Sequence, residues 1–223
     1  MKTLPFLLLL VLIGCNKEDP NDDPITQNET GSFTDSRDNH TYKWVKIGKQ
    51  TWMADNLAYL PAVSPSSDGS DTSPYHYVYD YEGSSMSAAK ATTNYATYGV
   101  LYNWPAALKA CPSGWHLPSD DEWNVLIEYL GGEADAGKKM KSTSGWRENE
   151  NGDNSSGFSA LPGGHSLTIG VFDFLGDGAF FWSSSEYEAP YAWSQVLYYY
   201  VVSVNRAYDY RGRGFSVRCL KDQ

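Results

Sequence analysis

The chain has 223 residues, with 17 Lys and Arg against 27 Asp and Glu, a net charge of −10 at pH 7. That length suits one sizeable domain with some extra segments. The acid excess leaves no basic stripe for a phosphate backbone, which argues against nucleic acid as a partner.

Residues 1–14 read as a targeting segment. Lys2 supplies a positive start, and the apolar run over residues 6–13 is too short to span a bilayer. Leu12-Ile13-Gly14-Cys15 has the form of a lipobox, in which a signal peptidase cuts before a cysteine that then carries lipid. The plainer alternative is an ordinary secretory signal with a chance cysteine. Cleavage before Cys15 leaves 16 bases against 27 acids, or −11. No later stretch is apolar enough to cross a membrane, so the expected link to the outer membrane is lipid on Cys15. Residues 15–32 are acidic, with Pro20 and Pro24, and are expected to form an extended tether. Cys15-Asn16-Lys17-Glu18-Asp19 resembles the surface-export signal of Bacteroidota lipoproteins, which points to the extracellular side.

The domain is expected over residues 33–222. Residues 33–56 read as a hairpin: residues 41–47 alternate apolar and polar, Gly48-Lys49 turns, and Gln50-Thr51-Trp52-Met53 returns. Asp38-Asn39 marks an earlier turn. Residues 60–99 are the least regular, with Tyr75, Tyr77, Tyr79 and Tyr81 at period two as a candidate strand. A helix is predicted over 102–110, where Pro105 fits only in the first turn. A second is predicted over 119–130. There Ser119 and Glu122 form a capping box, and Trp123, Leu126, Ile127 and Leu130 make one apolar stripe. Gly131-Gly132 ends it.

Residues 138–157 read as a polar, turn-rich loop. Its 148–154 stretch offers side-chain oxygens that calcium would accept, though it lacks the EF-hand register. From residue 157 on, short strands and turns are expected. Gly176-Asp177-Gly178 is a turn, 192–203 a long aromatic strand, and 214–220 the closing strand with Cys219.

With Cys15 lipidated, Cys111 and Cys219 remain. In an oxidising compartment an even pair usually bridges. The closed loop of roughly 110 residues would be worth about 4.7 kcal/mol at most in a chain-entropy model. A free redox pair is the alternative; zinc is disfavoured because no Cys or His partner stands at ligand spacing.

The motifs YGVLYNWPAAL, ACPSG and GWHLPSDDEW resemble the Fibrobacter succinogenes major paralogous domain family. KIGKQTWMADNL, SSGFSALPGG, FWSSSE and GFSVRCLKD follow the same pattern in the same order. The resemblance implies an α+β, C-type-lectin-like fold: two helices on a small twisted antiparallel sheet with long irregular loops, related also to the formylglycine-generating enzymes. It carries no established activity. The triplets of calcium-dependent sugar-binding lectins are missing, as is the catalytic context of the formylglycine group, whose two cysteines hold copper. No cofactor is expected.

His116, His165 and Ser183–185 invite thoughts of a hydrolase triad, but no nucleophile elbow is present, and a hydrogen-bonded structural His116 is the simpler reading. The aromatic load is more informative. Phe, Trp and Tyr make up 15% of the chain, and Trp193, Tyr198, Tyr200, Arg206, Tyr208, Tyr210 and Arg211 gather late in it. Such residues supply rigid contact area in binding sites, although aromatic strands also pack small β-cores. The expected function is a surface lipoprotein whose domain binds a glycan or a protein without catalysis. A structural subunit of a surface assembly is the alternative, and an enzyme on the formylglycine-generating type of scaffold a third.

Overall fold

In the computed structural model, which describes residues 28–223, the chain opens with strands β1 (Thr30–Thr34), β2 (Thr41–Ile47) and β3 (Gln50–Met53). An insert follows, made of β4 (His76–Tyr77), α1 (Met86–Lys90), α2 (Thr93–Tyr98) and β5 (Leu101–Tyr102). The central segment carries α3 (Trp104–Ala107), β6 (Trp115–His116), α4 (Asp120–Tyr129) and α5 (Glu133–Met140). The remainder is β7 (Gly163–Leu167), β8 (Val171–Leu175), β9 (Gly178–Glu186), β10 (Tyr191–Tyr198), β11 (Asn205–Tyr210) and β12 (Leu220–Lys221). The signal segment, Cys15 and most of the expected tether lie outside the described residues. β1 begins at Thr30, so the last residues assigned to the tether belong to a sheet.

The architecture is α+β, but fuller than two helices on one sheet. Among the described residues there are five short α-helices, one 3-10 turn at Arg147–Asn149, two five-stranded sheets and a two-stranded ribbon. The sheets run β1-β2-β3-β12-β6 and β11-β10-β9-β7-β8, and β4 pairs with β5. All strand pairings are antiparallel except β7 with β9. The segment before β12 stitches the layers together. Phe215 exchanges backbone hydrogen bonds with Tyr102, Ser216 bonds Phe180 and Trp182, and the carbonyls of Val217 and Cys219 receive Leu57 and Met53.

The first hairpin forms where expected, but β2 buries side chains on both of its faces rather than on one: Tyr42 joins one core cluster and Val45 and Ile47 the other, while Lys43 and Lys46 are exposed. Gly48 turns with φ +59°, and the ring of Tyr129 stands where a Cβ would project. α4 also follows its sequence. The Ser119 hydroxyl accepts from the Glu122 amide, the Glu122 carboxylate accepts from the Ser119 amide, and Trp123, Leu126, Ile127 and Leu130 are all buried. Trp123 meets Trp52 at 4.7 Å, and Phe158 and Phe181 complete that aromatic core.

The helix expected over 102–110 is shorter, because Tyr102 is held extended by Phe215 and the chain turns only at Asn103. Asn103 is fully buried and fully used. Its Oδ1 accepts from the amides of Tyr75 and Ala106, and its Nδ2 donates to the carbonyls of Ser70 and Ser73. One side chain thus caps α3 and pins the insert. The strand expected through Tyr75–Tyr81 survives only as His76–Tyr77, since a turn closes from Tyr81 to Val78 with Asp80 at φ 61°. The strand expected over 192–203 ends at Tyr198. Beyond it, Val202 accepts from Lys138 and Val204 donates to Glu133, so the segment leaves the sheet for α5.

Cys111 and Cys219 are joined by a disulfide with a Cα–Cα distance of 5.9 Å. It ties the corner after α3 to the residue before β12. Nearby, Arg218 is fully buried and, among the described residues, has no carboxylate partner. Its guanidinium donates to the Asn56 side chain at 2.7 Å and to the carbonyls of Met53 and Ser159 at 3.1 and 2.8 Å, and it lies 4.7 Å over Phe158. Burial pushes its pKa down to about 9, which leaves it charged at neutral pH.

Candidate functional site

The β10–β11 hairpin sets the geometry of the late aromatic cluster. Tyr191 lies opposite Tyr210, Trp193 opposite Tyr208, and Gln195 opposite Arg206, so these six residues share one sheet face. β11 is the edge strand of its sheet. The turn after β9 then delivers Tyr187 onto the same face. Its ring stacks on Tyr208 with centroids 4.2 Å apart and planes within 8°, and meets Trp193 edge-on at 4.9 Å. Tyr191 closes the group edge-on to Tyr208 at 5.8 Å. Tyr208, Tyr187 and Tyr191 are 51%, 42% and 37% exposed.

Arg206 is the brace of this face. Its guanidinium lies 3.4 Å over the Trp193 ring and grips the Asp120 carboxylate through Nε and Nη2, at 2.9 and 2.7 Å. Asp120 is the first residue of α4 and is buried, and Gln195 also donates to it. The hydrogen bonds to Asp120 raise the Arg206 pKa further, so its charge is permanent. The edge strand is therefore clamped to the start of a capped helix, and the aromatic side chains stand on a fixed base.

Among the residues singled out in the sequence, Trp193, Arg206, Tyr208 and Tyr210 come together here. Arg211 sits at the rim: it donates to the Tyr191 carbonyl, pairs with Glu186 at 3.2 Å and covers the Trp104 ring at 4.5 Å. Tyr198 and Tyr200 lie elsewhere. Tyr198 projects from the opposite face of β10 onto Phe174 and Phe180, and Tyr200 stacks on Tyr198 past the strand end. Sequence reading missed Tyr187, Tyr191 and Asp120. The signal for Tyr187 was its place in a short polar turn beside Pro190; Asp120 was legible as a helix-start acid but not as a partner of Arg206.

The other candidates are occupied structurally. His116 is held between Asp222 at 2.7 Å and Glu122 at 3.0 Å. Burial opposes its charge, but those two hydrogen bonds prevail and hold its pKa above the ordinary histidine value. His165 is buried among Phe174, Phe180 and Phe215, and desolvation pushes it down to about 4. Ser183 Oγ accepts from the Ser185 amide, and Ser185 Oγ from the Asp120 amide. In the loop considered for calcium, Asn151, Asp153 and Asn154 each spend a side-chain oxygen on a backbone amide of Trp146, Ser155 or Ser159. Among the described residues, no three His, Cys, Asp or Glu side chains converge as a metal site.

A family model described as the Fibrobacter succinogenes major domain matches residues 45–221. No curated protein and no solved structure matches the chain.

Proposed function

The chain belongs to the Fibrobacter succinogenes major domain family, and from that premise we propose that it is a lipoprotein of the outer membrane. Cys15 carries the lipid, and a domain of C-type-lectin-like fold faces the outside and binds a glycan or protein ligand without catalysis. The lectin-like reading is supported by the mixed α+β layers, the disulfide joining the inter-helix corner to the end of the chain's sheet, and the long insert. The observation that carries the binding function is the aromatic face in which exposed Tyr187, Tyr191 and Tyr208 surround half-buried Trp193, braced by Arg206 on Asp120. Rings held in place lose little freedom on binding, which is where such surfaces gain affinity.

The test is a glycan array and a cell-surface pulldown with the purified protein and a Tyr187→Ser, Tyr208→Ser double variant. The native protein is expected to capture a ligand and the variant to lose about 1–3 kcal/mol of binding. Capture of the same ligands by both would remove this face from the function. Intact mass of the membrane-extracted protein checks the anchor, with acyl mass expected on Cys15.

A second reading, a subunit of a surface assembly, has one observation of its own. Val125 and Tyr129 stand 55% and 63% exposed on the outward side of α4, beside Gly48 and Lys49. Sedimentation at rising concentration distinguishes the two readings: a binding module stays a monomer, whereas a subunit self-associates through that patch.

A further inference from the structure

At the opposite end of the β10–β11 hairpin from Tyr187, residues 199–203 bend away from the sheet. With α5 and the turn at residues 150–151 they enclose a cleft of about 440 Å³. Small-molecule sites run from roughly 300 to 1,000 Å³. Lys141 lines it and is only 2% exposed. The Lys141 amine donates to the Tyr199 carbonyl at 3.1 Å and lies 4.9 Å from the Trp146 ring. Among the described residues, no carboxylate oxygen comes within ion-pair distance of it.

A buried ammonium with one hydrogen bond, one aromatic ring and no counter-ion is only partly compensated. An ammonium has three N–H donors, so two remain for something else. Burial lowers the pKa of Lys141, and the nearby charge of Glu150 works against that shift. Glu150 itself is exposed at the rim, where the cation of Lys138 also stands. Tyr199 and Tyr200, with Val201 and Val202, supply the cleft's apolar lining. Asn151 spends its Oδ1 on the Trp146 amide, which leaves its own N–H donors free among the described hydrogen bonds, and Ser203 adds a hydroxyl.

We propose that this cleft binds a sugar acid, the ligand's carboxylate serving as counter-ion to Lys141, its ring lying against Tyr199 and Tyr200, and its hydroxyls meeting Asn151 and Ser203. A bare anion would leave the apolar lining unused, and a neutral sugar would leave the charge without a counter-ion. The site is separate from the aromatic face described above and stands whether or not that face binds anything.

The test titrates the full-length protein with sodium glucuronate, glucose and sodium acetate, read by calorimetry and by the Trp146 indole N–H resonance. Glucuronate is expected to bind saturably and move that resonance, with glucose and acetate at least about tenfold weaker. Lys141→Met, which keeps the side-chain length and apolar stem, is expected to lose glucuronate binding at least tenfold. Glu150→Gln, which removes the competing carboxylate, is expected to bind it several-fold more tightly. No saturable binding, equal binding of glucose or acetate, or binding retained by Lys141→Met would overturn the proposal. If Lys141→Met fails to fold, Glu150→Gln decides: glucuronate affinity no higher than that of the native chain means that the ligand's carboxylate does not meet Lys141, and the proposal falls.

Discussion

At the scale of single residues, the molecule uses charge mainly to fix positions. Arg206 joins an edge strand to a helix start and covers a tryptophan at the same time. Arg206→Ala is expected to destabilise the fold by about 1–2 kcal/mol in urea unfolding, less than a fully buried pair because the guanidinium is partly solvated. Arg206→Lys should recover little, since an ammonium offers neither the fork nor the flat face. The His116 network gives a pH signature. His116 is raised above its ordinary 6.5, so its contribution is complete below that value and fades as pH rises through the folded-state pKa. Glu122 is lowered from 4.5: burial opposes the shift, and the hydrogen bonds from the Ser119 amide and His116 overcome it. Its contribution therefore fades as pH falls through its own folded-state pKa. The difference in unfolding midpoint between the native chain and His116→Gln should be largest between pH 4.5 and 6.5 and shrink above neutrality.

At the scale of elements, local chemistry was legible wherever one signal acted alone. The capping box and stripe of α4 and the Gly48 turn of the first hairpin needed no partner to be seen. α5 was missed although Glu133 and Asp135 open it and Lys138 and Lys139 close it, as the helix dipole favours. Its apolar face is only Ala136, Gly137 and Met140, too small to stand out in sequence. α1 and α2 rest on side-chain caps from Ser85 and Thr92 with almost nothing buried, so periodicity could not reveal them. Gly137 shows how packing reverses propensity. Alanine is favoured over glycine in a helix by about 1 kcal/mol. Here, though, a Cβ would sit 2.5 and 2.6 Å from the carbonyl oxygens of Val202 and Ser203. Gly137→Ala is therefore expected to lower the melting temperature rather than raise it, while Ser119→Ala should cost about 1 kcal/mol through the lost cap.

At the scale of the whole molecule, two cysteines 108 residues apart close most of the domain into one loop. Replacing both with serine is expected to cost about 2–5 kcal/mol, measured by calorimetric or denaturant unfolding against the oxidised native chain. The pairing could be anticipated from the parity of the cysteines. The division into two five-stranded sheets could not, because it depends on residues 214–219 bridging strands that are distant in sequence. The aromatic face was half visible for the same reason. Composition marked Trp193 and Tyr208, but only the register of β10 on β11 separates them from Tyr198, and only the turn after β9 adds Tyr187.

The place of β12 between β3 and β6 has a consequence in time. A chain leaving the ribosome presents β1, β2 and β3 long before Leu220 exists, and until then β3 has no neighbour on its far side and β6 no sheet to join. The amino-terminal half therefore waits, incomplete, for residues made about 170 positions later. A nascent chain arrested just short of Gly214 should remain open to protease throughout, and the same chain released after Lys221 should become resistant in a single step.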